Sequence, residues 1–131
     1  MSEENVEIAR RFVEALNRGD LPNAMKETPA DFSFDFSRSI SPEQGVYGRN
    51  DIPELVETFF GDWESLRYEP DEFIVDGDQL ITPMKIRFRG RDGIELHARF
   101  AWVWLFRDGQ VQRITFFQDR AEALEAAGLS E

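Results

Sequence analysis

A chain of 131 residues sets an expectation of one domain with one sizeable core. Asp and Glu total 26 against 15 Lys and Arg, a net charge of −11, which argues against tracking nucleic-acid phosphates or docking on an anionic membrane. No cysteine is present, so disulfides, thiolate metal sites and Cys nucleophiles are excluded together, and the single histidine, His97, limits any site within one chain to one imidazole.

The first predicted element is a helix over residues 3–18. Ala9, Phe12, Val13 and Leu16 fall on one face of a 3.6-residue period, and Glu3 and Glu4 suit the positive helix end. Gly19 stops it. Asp20 caps a short second helix from Leu21 to Glu27, with Pro22 in its first turn. The period then drops to two: Phe32, Phe34 and Phe36 alternate with Ser33, Asp35 and Ser37, the pattern of a strand with one aromatic face. Residues 39–48 read as a loop. A third helix follows, capped by Asp51, with Ile52, Leu55, Val56, Phe59, Phe60 and Trp63 at helical spacing. Residues 72–75, 79–89, 94–106 and 110–118 read as strands joined by Gly- and Asp-containing turns, and a last helix runs from Arg120 to Ala127. Helices early and antiparallel strands late indicate an α+β fold. Met1 to Asn5 lacks a basic leader pattern and no apolar run reaches about 18 residues, so a cytoplasmic location is expected.

Several segments together resemble the NTF2-like superfamily, and within it the SnoaL-like (polyketide cyclase and ketosteroid-isomerase-like) group. They are Leu16-Asn17-Arg18-Gly19-Asp20, Pro29-Ala30-Asp31, Tyr47-Gly48-Arg49-Asn50-Asp51-Ile52, and the ending Phe117-Gln118-Asp119-Arg120-Ala121-Glu122-Ala123-Leu124. The resemblance covers nearly the whole chain. It implies a curved, mostly antiparallel sheet wrapped around N-terminal helices as a cone, an apolar pocket, and a homodimer paired through the outer sheet face. It does not fix the chemistry, because the superfamily includes isomerases, cyclases, hydrolases, dehydratases and proteins without catalysis.

The residues narrow the choice. The Tyr and Asp of ketosteroid isomerases correspond to Phe12 and Phe36, neither of which can move a proton. Asp35 has the wrong strand parity. The acid/base aspartate of SnoaL-like cyclases corresponds to Asp119, while the cyclase histidine falls on Trp102 rather than His97. Asp119 has a second reading: Asp-x-x-Glu over 119–122 is a capping box for the last helix. His97 shares its parity with Glu95 and Arg99, which reads as a polar outer face. Lys85, Arg87 and Arg89 read the same way on their strand, with a ligand carboxylate as the alternative partner. For the pocket wall the candidates are Phe12, Phe34, Phe36, Tyr47, Phe59, Trp63, Trp102, Trp104, Thr115 and Phe117. No phosphate-binding glycine fingerprint and no metal-ligand spacing is present, so neither cofactor nor metal is expected. The sequence thus points to acid/base chemistry on, or binding of, a small apolar or aromatic molecule, with a non-catalytic binding or dimerisation module as the alternative.

Overall fold

A computed structural model describes residues 2–38, 45–61 and 63–129, with the backbone alone for Ser2, Phe59 and Phe60. Helix α1 (Ser2–Asn17) buries Ala9, Phe12 and Val13, the stripe its periodicity predicts. It ends at Gly19, whose φ of 72° suits a residue without Cβ. Asp20 Oδ1 accepts the Asn23 amide at 3.3 Å and caps α2 (Leu21–Met25).

Strand β1 (Ser33–Asp35) pairs with β2 (Val46–Gly48), which lies in the segment predicted as a loop; the rest of that loop, 39–44, falls outside the described residues. A 3-10 turn (Arg49–Asp51) leads into α3 (Ile52–Phe60). Asp51 does not cap α3 through its side chain; its Oδ2 reaches back to the Gly48 amide at 3.1 Å. Helix α3 is also shorter than predicted. The Gly61 amide closes its last turn on the Glu57 carbonyl, and Trp63 opens a strand, β3 (Trp63–Pro70), instead of continuing the helical stripe.

The remaining strands are β4 (Ile74–Asp76), β5 (Gln79–Gly90), β6 (Glu95–Arg107) and β7 (Gln110–Phe117), followed by α4 (Arg120–Ala126). The β6–β7 hairpin turns on Asp108 and Gly109, both at positive φ (53° and 77°), the backbone of a type I′ turn.

One seven-stranded sheet runs β2-β1-β7-β6-β5-β3, with β4 also on β5. All pairs are antiparallel except β1 with β7. Breaks in register at Trp63/Ser65 and Leu105/Phe106 bend a sheet whose long strands already twist. The result is a curved, unclosed sheet around N-terminal helices, the α+β cone. Its inner face carries Met84 and Ile86 from β5 and Phe100, Trp102, Trp104 and Phe106 from β6, packed with Phe12 and Val13 of α1. A smaller cluster covers the other face, where Ala123 and Leu124 of α4 pack with Ile81, Ala101 and Phe117.

Asn17 fastens α1 to the sheet edge. Its Oδ1 accepts the Tyr68 amide at 2.7 Å and its Nδ2 donates to the Tyr68 carbonyl at 3.0 Å, in the manner of a neighbouring strand.

Candidate functional site: an aromatic cavity

Between the inner sheet face and the helices lies a cavity of about 290 Å³. Phe12 and Leu16 of α1, Met25 of α2 and Ile52, Leu55 and Val56 of α3 form one side. The strands supply the other: Phe34 and Phe36 from β1 and its end, Ile86 and Phe88 from β5, Phe100 and Trp102 from β6, and Phe116 from β7. Alternation along each strand explains the selection, since every second side chain points inward. Phe34 and Phe36 are stacked, with centroids 4.5 Å apart and planes within 7°, and Trp102 meets Phe34 edge-on at 5.1 Å. The volume is roughly twice the 150 Å³ of an apolar cavity that holds benzene, so two fused rings fit.

Four polar side chains join this lining. Arg99 is two-thirds exposed and its Nη1 donates to Asp71 Oδ2 at 2.7 Å. The Tyr68 phenol is buried, and burial raises its pKa well above the ordinary 10.0, so it stays neutral. Trp102 is 3% exposed, and its Nε1 is buried without a hydrogen-bond partner. Gln118 Oε1 is likewise buried without one. Among the described residues, no Asp, Glu or His lines the cavity, and no cluster of such residues has the make-up to hold a metal ion.

Of the pocket-wall candidates, Phe12, Phe34, Phe36 and Trp102 are among the residues that line the cavity. The other candidates are placed elsewhere. Trp104 is fully buried in the core against Phe12, edge-on at 5.2 Å. Tyr47 packs on Phe36 from β2 at 6.0 Å, and Trp63 on Phe88 from β3 at 4.9 Å; both back a lining ring without lining the cavity. The side chain of Phe59 lies outside the described residues. Thr115 and Phe117 have the opposite parity to Phe116, and Phe117 packs under α4.

Asp119 shares the Phe117 parity and is exposed. It caps α4, its Oδ1 accepting the Glu122 amide at 2.8 Å, and is not among the lining residues. His97 is exposed on β6, in register with Arg87 of β5. Asp35 also points away from the cavity: its Oδ2 accepts Arg113 Nη2 at 3.1 Å. Burial pushes its carboxyl up, but hydrogen bonds from Ser37 and the nearby Arg113 charge outweigh this and leave its pKa below 3.8.

Sequence reasoning missed Tyr68 and Gln118. Tyr68 lies on the unrecognised strand β3, where Leu66 and Tyr68 alternating with Arg67 and Glu69 were the available signal. Gln118 follows from extending the Ile114–Phe116 parity by one step.

Three solved structures share this architecture. An NTF2-like protein of unknown function from Burkholderia pseudomallei is 23% identical, with a TM-score of 0.76 over 93% of this chain and 95% of its own. TerC, co-crystallised with polyporic acid, is 19% identical, with a TM-score of 0.77 over 96% and 97%. A protein with a ketosteroid isomerase-like fold from Catenulispora acidiphila, in complex with trimethylamine, is 13% identical, with a TM-score of 0.72 over 94% and 93%. At these identities the likeness is one of fold. No curated protein gives a significant match. The family model described as the SnoaL-like domain matches residues 9–114, most of the chain, and the protein belongs to that family, with an NTF2-like fold.

Proposed function

We propose that the protein binds a small, planar, largely apolar molecule in this cavity and holds it with neutral hydrogen-bonding groups. The observation that carries this reading is the lining itself: stacked and edge-on aromatic rings around about 290 Å³, without a carboxylate or imidazole among the described residues that line it. Flat aromatic faces suit a flat aromatic guest. TerC, which has the same fold, was crystallised with polyporic acid, and this accords with a ring-bearing ligand.

General acid–base catalysis needs a titrating group within reach of the substrate. Asp119, the carboxylate favoured by family resemblance, is outside the lining and engaged in a helix cap. The proposed activity is therefore binding and orientation, with Asp119 contributing through the cap. Thermal melts in the presence of naphthalene-sized aromatic compounds test it: binding raises Tm with ligand concentration, by an amount equivalent to about 2.7 kcal/mol at 100 times Kd. Ile86→Trp, which fills the cavity from β5, abolishes the shift. Absence of any shift across mono- and bicyclic compounds overturns the reading.

On the family resemblance alone, we also propose a homodimer paired through the outer faces of β5 and β6, where Lys85, Arg87 and His97 lie. Sedimentation velocity at high micromolar concentration tests it, and a monomer there rejects it.

A further inference from the structure

A second hollow lies outside the cone, a cleft of about 180 Å³ between α1 and α2. The chain turns back at Gly19, and Arg11 Nη2 donates to Glu27 Oε1 at 3.1 Å, so the two segments are joined once by the turn and once by this strap. Arg11, Glu14 and Arg18 stand three and four residues apart on α1, which puts them on one face of the helix. Asn23, Lys26 and Glu27 line the cleft from α2 and the residues that follow it. Phe12 and Ala24 add an apolar floor; Phe12 also lines the aromatic cavity, so one ring borders both hollows. The polar groups here are not balanced among themselves. Glu27 is taken by Arg11. Arg18 approaches Asp20 only to 4.0 Å, beyond hydrogen-bond length. Among the described residues, the side chains of Glu14, Asn23 and Lys26 make no hydrogen bond or ion pair, although Glu14 and Arg18 have the i, i+4 spacing at which helix pairs form. The cleft thus keeps two cations, one carboxylate and one amide open side by side.

We infer that the cleft between α1 and α2 is a binding site for a free α-amino acid with an apolar side chain. Such a molecule carries a carboxylate and an ammonium on one carbon at neutral pH. Arg18 and Lys26 receive the carboxylate, Arg18 through its planar fork of donors. Glu14 receives the ammonium, and the Asn23 amide can donate to the one group or accept from the other. A simple anion would bring like charge against Glu14, and a simple cation would bring it against Arg18 and Lys26; a zwitterion meets both signs with an opposite one. The ligand's side chain lies on the Phe12 and Ala24 floor. The space is a little above the roughly 150 Å³ of an apolar cavity that holds benzene, which admits a branched chain of leucine size. Glu14, Arg18 and Lys26 are exposed, and exposed ion pairs are individually weak, so affinity lies in the millimolar range. The site is independent of the aromatic cavity's own ligand.

Amide NMR titration of the whole protein with L-leucine, 4-methylpentanoate and 3-methylbutylamine tests the inference; the second compound lacks the ammonium and the third the carboxylate. Leucine is expected to move the Asn23 and Lys26 amide signals, with each analogue binding there about fivefold more weakly, the scale of one exposed ion pair. Glu14→Gln removes the preference for leucine over 4-methylpentanoate and keeps the preference over 3-methylbutylamine. Lys26→Met narrows the preference over 3-methylbutylamine and keeps the other. Both substituted side chains are exposed, and amide signals away from the cleft that match the wild type show that each variant is folded. Equal affinity for the three compounds, preferences that survive both substitutions, signal changes confined to the aromatic cavity at Phe100 and Phe116, or no change at millimolar leucine would each overturn the amino-acid site. None of these outcomes bears on the melts with aromatic compounds, so the aromatic cavity stands or falls separately.

Discussion

Gln118 shows what a single unsatisfied polar atom does to folding. A buried amide oxygen without a partner destabilises the ligand-free protein, by about 1–3 kcal/mol for such groups. Gln118→Met keeps the length and removes the polar atom, so it is expected to raise Tm; calorimetric melting of the two proteins without ligand checks this, and a lower Tm in the variant would contradict it. Asp119 gives the opposite case. Asp119→Ala is expected to cost about 1 kcal/mol through loss of the α4 cap, and Asp119→Asn, an equally good cap, to restore stability. Ligand affinity measured alongside stays unchanged in both if the residue acts only as a cap. The aromatic positions Phe12, Phe34, Phe36 and Trp102 were legible from alternation and helical period alone. The unpaired state of the Trp102 indole was not, because an unpaired indole differs from a paired one only through Thr82, which belongs to another strand.

Individual elements were legible to the extent that their pattern was unshared. Helix α1 and the Asp108–Gly109 hairpin have one period and one turn chemistry each. Strand β3 escaped because Trp63 falls eleven residues after Ile52, a helical spacing, and so was assigned to α3; the short alternation over 66–69 was its one signal, and pairing of Leu66 with Phe88 and Tyr68 with Ile86 establishes the strand. The position of Pro83 within long β5 was informative in retrospect. It falls between the stretches of β5 that pair with β4 and with β3, and its missing N–H interrupts neither ladder. The Asn17 clamp makes α1 and β3 depend on each other. Asn17→Ala leaves the Tyr68 amide and carbonyl without their side-chain partners and is expected to lower stability by about 1–3 kcal/mol in denaturant titration. The β1–β7 pair carries a pH dependence of definite sign. Asp35 has a lowered folded pKa, so its contribution is complete above the ordinary value of 3.8 and is lost as pH falls through the folded value. The Tm gap between wild type and Asp35→Asn is expected to stay constant from about pH 7 to 5 and to close below about pH 4. A gap that widens on acidification would contradict that sign.

At the scale of the molecule, the α+β class and the cone followed from the order of elements together with family resemblance. The hollow is a property of the assembled chain: α1, α2, α3 and strands from both ends of the sequence each contribute a part of its wall. Curvature depends on where the register breaks, and a lone strand gives no indication of that before its neighbour is known. The parallel seam between β1 and β7 joins Asp35 to Arg113 across 78 residues of sequence. During synthesis the first aromatic strand can therefore pair with β2 soon after it emerges, but its other edge must wait for β7. A nascent chain halted before Gln110 displays Phe32, Phe34 and Phe36 with no β7 to receive them. The hollow is closed only once β7 has joined the sheet and Phe116 and Gln118 complete its wall.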